Sequence, residues 1–187
     1  MTEIDDLDKT VELIDKSENV LVTTHEKPDG DACGCIVALC ETFRALGKRA
    51  QPLFLSPLPV WYEFVPLERI PVLGQDLQKE ELMEERFGHF DLIVIVDANS
   101  KNQLPGLEKF LQQRKAPILV IDHHVTSDGL GDVELSDEGA AATGLIVLDL
   151  LKHAGWPVTE KIAEALFVAT ATDTGWFQFL NTDSRVH

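Results

Sequence analysis

Four groups of acidic residues and histidines stand where apolar segments run out. Residues 20–24 lead into His25-Glu-Lys-Pro-Asp29-Gly-Asp31, and Leu92–Val96 ends on Asp97. Residues 118–121 end on Asp122-His123-His124, and the longer run 162–172 ends on Asp173-Thr-Gly. Carboxylates and imidazoles are the oxygen and nitrogen donors of divalent metal sites. Gathered in one place, that many carboxylates repel one another unless cations lie between them. Each group has an ordinary reading on its own. A Pro-Asp-Gly-Asp stretch is more often a plain turn, and a lone Asp after a strand often caps the next segment. A calcium loop starting at Asp29 fails because Cys40 stands where the closing Glu is required. Two histidines after an Asp are harder to explain without a metal or a substrate. Asp173, approached through apolar chain, is costly to bury without a counter-charge. Taken together, the four groups predict a polynuclear metal site.

Such a site needs elements that bring distant residues to one rim. Short Val/Ile/Leu-rich runs are the mark of buried parallel strands, which gives strands at 20–24, 92–96 and 118–121, with a further strand at 51–55. Apolar residues recur at helical spacing over 5–18 and 32–46, the second closed by Gly47. Further helices are expected at 76–87, at 105–115 with Pro at its start, at 140–153 and at 159–172. Residues 56–66 are rich in Pro and aromatics and read as a loop, and a Gly/Asp-rich loop runs on to Gly131. The alternation predicts an α/β fold: a doubly wound, mostly parallel sheet flanked by helices on both faces. In such sheets the ligand crevice lies beyond the carboxyl ends of the strands, where three of the four groups stand.

The chain has 187 residues, 44% of them apolar, enough for one generous domain with a proper core. No run approaches the roughly 20 apolar residues a membrane helix needs, and the acidic first residues do not resemble a signal peptide, so the cytoplasm is the expected location. With 32 acidic and 16 basic side chains the net charge is −16, which opposes binding to long duplex nucleic acid. A small phosphorylated substrate remains compatible, because bound cations reverse the sign locally. Cys33, Cys35 and Cys40 fall within one helix and are read as core packing. Trp61, Tyr62 and Phe64 could stack a nucleobase, although packing or a subunit contact is the commoner use of such residues. Trp176 and Phe177 are expected to wall the site, and Thr24 and Thr143 to donate hydrogen bonds near it.

The stretches His25-Glu-Lys-Pro-Asp29-Gly-Asp31-Ala, Val96-Asp97, Asp122-His123-His124 and Asp173-Thr-Gly-Trp-Phe177 resemble, in order, the four motifs of the DHH phosphoesterase superfamily. The nearest branch is the nanoRNase and 3′-phosphoadenosine 5′-phosphate phosphatase group. Cys35, where a small hydroxyl residue is expected, and Gly144, where an acid is common, depart from the pattern. The resemblance implies a DHH domain over 1–187 and a second, C-terminal DHHA1 domain that carries a Gly-rich substrate loop and is expected beyond this chain. Residues 181–187 read as the start of a helix cut short.

The resemblance also implies roles. One Mn²⁺ would be held by His25, Asp29 and Asp97, and a second by Asp31, Asp97, His123 and Asp173, with Asp97 bridging. Mg²⁺, Co²⁺ or Fe²⁺ could substitute, and Zn²⁺ could compete. Asp122 would orient a ligand histidine from behind, and His124 would contact the scissile phosphate. The implied reaction is attack of a metal-bridging hydroxide on phosphorus, in short oligoribonucleotides or 3′-phosphoadenosine 5′-phosphate. An inorganic pyrophosphatase, a polyphosphatase or a cyclic-dinucleotide phosphodiesterase would use the same centre. A catalytically idle nucleotide-binding regulatory module is the rival from another class. A homodimer is left open, and no membrane partner is expected.

Overall fold

Among the residues described by the computed structural model, 4–65 and 68–186, five parallel strands form one sheet. They are β1 (Asn19–Thr24), β2 (Arg49–Leu53), β3 (Leu92–Val96), β4 (Ile118–Asp122) and β5 (Val133–Ser136), arranged β2-β1-β3-β4-β5. Val20 lies beside Leu92 and Ile93 beside Ile118, so the strands run in close register toward one rim. The three central strands are buried along almost their whole length because both faces of the sheet are covered.

Period-two alternation sorts their side chains into two cores. Val20, Val22, Val94 and Leu119 face a large cluster shared with α1 (Ile4–Asp15), α2 (Gly30–Ala45), α5 (Thr143–Ala154) and α6 (Glu160–Asp173). Leu21, Ile93, Ile95 and Val120 face a smaller one with Leu82 of α3 (Lys79–Met83) and Phe110 and Leu111 of α4 (Glu108–Gln113). The expected α/β architecture, wound on both faces, is what the chain adopts. After β1 the chain moves out to β2 at the edge, then returns to β3 on the other side of β1. That reversal is the switch point at which α/β sheets open a crevice.

α2 and α6 pack closely against each other. A Cβ on Gly34 would lie 2.3 Å from the carbonyl oxygen of Ala165, and one on Gly30 would lie 2.4 Å from Thr172 Oγ1. The two helices therefore cross where α2 has no side chain. Because the obstacle at Gly34 is backbone, relaxation requires the helices to part. Gly34→Ala should destabilise the protein by about 1–3 kcal/mol, a loss of roughly 2–4 °C in Tm per kcal/mol for a domain this size. Thermal unfolding checks this; an unchanged Tm would show that the crossing has slack.

Several boundaries differ from expectation. β5 was not expected: only four residues long and buried only at Leu135, it lacks the continuous apolar run of its neighbours. The pairing of Leu119 with Val133, a tertiary fact, creates it. The helix expected over 76–87 shrinks to Lys79–Met83, where a capping box starts it and Leu82 alone is buried; Glu85 then turns to φ 56°. The helix expected over 105–115 is Glu108–Gln113, leaving Pro105 in the preceding turn. β2 begins at Arg49 rather than 51. Residues 181–186 form turns rather than a helix, and His187 lies outside the described residues. No helix of the described residues is long and apolar enough to cross a membrane.

Candidate metal centre

β1 delivers His25 directly from its last residue, and the turn that follows starts α2. Asp29 is the N-cap of α2, its Oδ1 accepting from the Ala32 N–H at 3.1 Å. Asp31, in the first turn, is fully buried. The loop is fixed from both sides: the Glu26 N–H donates to the Gln103 carbonyl at 2.8 Å, and the Lys27 N–H to Ser56 Oγ at 2.7 Å.

β3 stops at Asp97 because the backbone there turns to φ 56°. Such a left-handed conformation is uncommon outside glycine, but Asp and Asn tolerate it better than most residues. The turn aims the carboxylate across the rim. Asp97 Oδ2 lies 3.5 Å from His25 Nε2, and Oδ1 lies 3.7 Å from His123 Nε2, which is itself 3.4 Å from Asp173 Oδ2. The donor atoms form three close groups: His25, Asp29 and Asp97; Asp31, His123 and Asp173; Asp97, His123 and His124. His25, Asp29, Asp31, Asp97, His123, His124 and Asp173 thus meet at one rim.

The histidines are set for coordination. Nδ1 of His25 contacts the Glu26 carbonyl at 2.8 Å, and Nδ1 of His123 contacts that of Ala140 at 3.1 Å. A carbonyl can only accept, so each Nδ1 carries a proton, and each Nε2 faces the cluster, where the neutral ring would offer its lone pair to a cation.

Asp122 behaves differently from expectation. Its Oδ1 lies 2.7 Å from His124 Nδ1, so it braces His124 and not His123, whose brace is the Ala140 carbonyl. That hydrogen bond is the main reason His124 is pushed up to about 9.

The remaining electrostatics describe a cluster short of positive charge. Burial, then the charges of Asp97 and Asp173, push the Asp31 carboxyl well above the ordinary range, against two backbone donors. Burial likewise pushes Asp173 up to about 6; His123 pulls it the other way, while Asp97 and Asp29 add to the rise. Divalent cations between these carboxylates would remove both penalties. With both Nε2 atoms already directed inward, the donor set fits such ions.

A family model described as the DHH family, N-terminal domain, matches residues 19–170. The chain belongs to the DHH family. Among curated relatives, it is 32% identical over 175 residues to the bifunctional oligoribonuclease and PAP phosphatase NrnA of Thermus thermophilus, covering 89% of this chain and 47% of that protein. It is 26% identical over 167 residues to a probable manganese-dependent inorganic pyrophosphatase of Bacillus mycoides, covering 86% and 50%. The fold is shared with the crystal structure of an exopolyphosphatase-related protein from Bacteroides fragilis, with TM-score 0.88 at 20% identity, covering 99% of this chain and 54% of that one. The chain spans about half the length of the curated relatives it matches.

The two departures from the DHH pattern have local causes. Gly144 donates its N–H to Asp31 Oδ1 at 2.9 Å, and a Cβ there would come 2.7 Å from Ala169 Cβ. Any side chain would wedge α5 from α6. Cys35 Sγ lies 3.4 Å from the same Asp31 oxygen, and burial foremost pushes its thiol well up, so it stays protonated and can donate. Cys33 and Cys40 are also buried and unpaired, as core packing requires.

The segment from Ala140 to Gly144 does more than its letters announce. The Thr143 N–H donates to Asp31 Oδ2 at 2.6 Å, Thr143 Oγ1 donates to Asp97 Oδ1 at 2.9 Å, and the Ala140 carbonyl braces His123. Ala142, at the N-cap of α5, has no side chain with which to cap it. Asp31 takes that place from α2, an anion held at a helix N-terminus. A helix starting at Ala-Ala-Ala-Thr without a capping residue was the available signal that these N–H groups serve something distant. Thr24, by contrast, donates to the Val96 carbonyl and is structural. Trp176 and Phe177 pack their rings against Phe167 of α6. His89 pairs with Glu85 and His153 with Asp8, both away from the cluster.

Proposed function

We propose that this chain is the metal-binding half of a phosphoesterase acting on short oligoribonucleotides, on 3′-phosphoadenosine 5′-phosphate, or on both. The observation that carries the reading is Asp97. One carboxylate turns one oxygen to His25 and the other to His123, so two donor groups share a single anionic residue. In this reading His25, Asp29 and Asp97 hold one Mn²⁺, and Asp31, Asp97, His123 and Asp173 hold the other. The mixture of carboxylate oxygens and imidazole nitrogens suits manganese, the metal named for the pyrophosphatase relative. When bound, a pair of ions supplies Lewis acidity, lowering the pKa of water and screening charge on phosphoryl oxygens.

The protein's own groups do the positioning. Asp31 is held rigid by Thr143 and Gly144, so the second donor group cannot relax toward solvent. His124, protonated through Asp122, stands at the open side of the cluster as a donor to a phosphoryl oxygen. The chain carries no GxSxG elbow and no Walker loop, which agrees with a reaction that needs no side-chain nucleophile. Three unpaired cysteines agree with a cytoplasmic setting.

A second reading, hydrolysis of inorganic pyrophosphate, is favoured by the pyrophosphatase relatives and would use the same centre. Full-length protein loaded with Mn²⁺ should release nucleoside monophosphate from di- to pentaribonucleotides, and chelation should abolish release. No release with the metal confirmed bound would reject the nucleotide reading, and turnover of pyrophosphate alone would replace it with the second.

A further inference from the structure

The stretch that follows Asp173 turns back toward the metal centre, although its side chains are not among the donor groups. Gly175, Trp176 and Phe177 all hold positive φ, at 56°, 55° and 65°. Trp and Phe rarely adopt that conformation, so the surrounding contacts must hold the turn in place. At its start the Trp176 N–H donates to the Ala171 carbonyl at 2.6 Å. Beyond it, Asn181 comes back to the residue on which α6 ended. Asn181 Nδ2 lies 3.2 Å from the Asp173 carbonyl and 3.1 Å from the Ala141 carbonyl. An amide nitrogen carries two hydrogens, enough to donate to both carbonyls at once. The Asp173 carbonyl stands at a helix end, where carbonyls find no partner within the helix.

The two carbonyls belong to the two separate supports of one donor group. Asp31 and His123 are held by the Ala140–Gly144 segment: Thr143 and Gly144 donate to Asp31, and the Ala140 carbonyl braces His123. Asp173, the third member, arrives on the end of α6. Asn181 is an exposed side chain that buries little, yet its amide bridges segment and helix end. Arg185 fastens the same stretch at a second point. Its Nη1 lies 2.9 Å from Asp137 Oδ2 and its Nη2 2.9 Å from Asp149 Oδ2 of α5. Asp137 in turn donates its N–H to the Asp122 carbonyl and accepts the Ala140 N–H. With Arg185 in place, the stretch stays docked when the Asn181 amide is changed.

We propose that Asn181 is a positioning residue for the metal centre: its amide staples the Asp173 end of α6 to the Ala140–Gly144 segment and so sets the spacing between Asp173 and the Asp31–His123 pair. The proposal rests on the two-ion reading above. A staple of this kind needs a donor, which separates it from an effect of charge. Asn181→Asp keeps the shape, cannot donate when ionised, and adds a negative charge that by itself attracts cations. Loss of the staple and gain of charge therefore change Mn²⁺ affinity in opposite directions.

The test titrates full-length protein with Mn²⁺ by calorimetry, follows the paired-ion signal by electron paramagnetic resonance, and measures Tm in chelator. Both Asn181→Asp and Asn181→Ala should weaken one Mn²⁺ per chain about 10–100-fold, with a smaller change at the other. The paired signal should fade at manganese concentrations that saturate the wild type. Metal-free Tm should stay within about 2 °C of wild type, as for other exposed substitutions in a domain this size. Wild-type affinity for both ions in Asn181→Ala overturns the staple, as does an equal loss at both. Asn181→Asp binding manganese as tightly as the wild type, or more tightly, overturns it in favour of charge. A loss of affinity matched by a large fall in metal-free Tm overturns it in favour of general stability. Wild-type protein that binds fewer than two Mn²⁺ per chain overturns the two-ion reading and the staple together.

Discussion

Asp97→Asn should abolish hydrolysis and weaken Mn²⁺ binding by more than the roughly 100-fold that loss of an outer-shell partner costs. Asn is the informative replacement because it leaves most of the local structure alone. It tolerates the left-handed backbone at φ 56°, and its amide oxygen can still accept from Thr143 Oγ1. What disappears is the negative charge between His25 and His123. The same substitution should raise the Tm of the metal-free protein, because Asp97 is among the charges that push Asp31 and Asp173 up. Removing one of four crowded carboxylates relieves a repulsion that bound cations would otherwise relieve, so stability should rise as function falls. Calorimetry with Mn²⁺ and thermal unfolding in chelator read the two effects separately. A variant that binds manganese with wild-type stoichiometry and affinity would remove the shared carboxylate from the proposal.

The parts of this centre that were legible in the sequence are those whose side chains make it. β1, β3 and β4 each carry an unbroken run of Val, Ile and Leu because both their faces are buried, and the charged or imidazole residue that closes each stretch marks the rim. His25, Asp97 and Asp122 could therefore be placed at one edge of a sheet before any coordinates. Apart from the Thr143 hydroxyl on Asp97, the framework behind them was not legible, because it is made of backbone. Ala140 acts through its carbonyl, Thr143 and Gly144 act through their N–H groups, and a residue's letter says nothing about where those point. β5 was missed for a related reason. Val133-Glu-Leu-Ser is too short and too polar to declare a strand, and becomes one only where β4 offers an open edge. Asp122 shows the limit from the other side: the letters Asp-His-His allow it to brace either histidine, and only the rotamers decide for His124.

That pairing makes His124 the second decisive position. Its side chain is 46% exposed, with Nδ1 held by Asp122 at 2.7 Å and Asp97 Oδ1 at 3.8 Å. The arrangement allows two roles. As a phosphate contact it would keep its proton on Nδ1, shared with Asp122, and turn Nε2 toward substrate. As a ligand through Nδ1, the nitrogen 3.8 Å from Asp97 Oδ1, it would have to release Asp122 and join Asp97 and His123, with which it also forms a close donor group. Asp122 favours the first role, since a buried carboxylate left without its cationic partner is costly. His124→Ala should therefore lower kcat by about 10²–10³ while leaving Mn²⁺ stoichiometry and affinity near wild type. Asp122→Asn should cost about 10–100-fold, by the loss of orientation and charge on a histidine still present. The double variant should be no slower than His124→Ala alone, because Asp122 would act only through that ring. If His124→Ala instead loses manganese, the ring is a ligand. Asp122 would then be a base without a partner, and its buried charge would need another explanation.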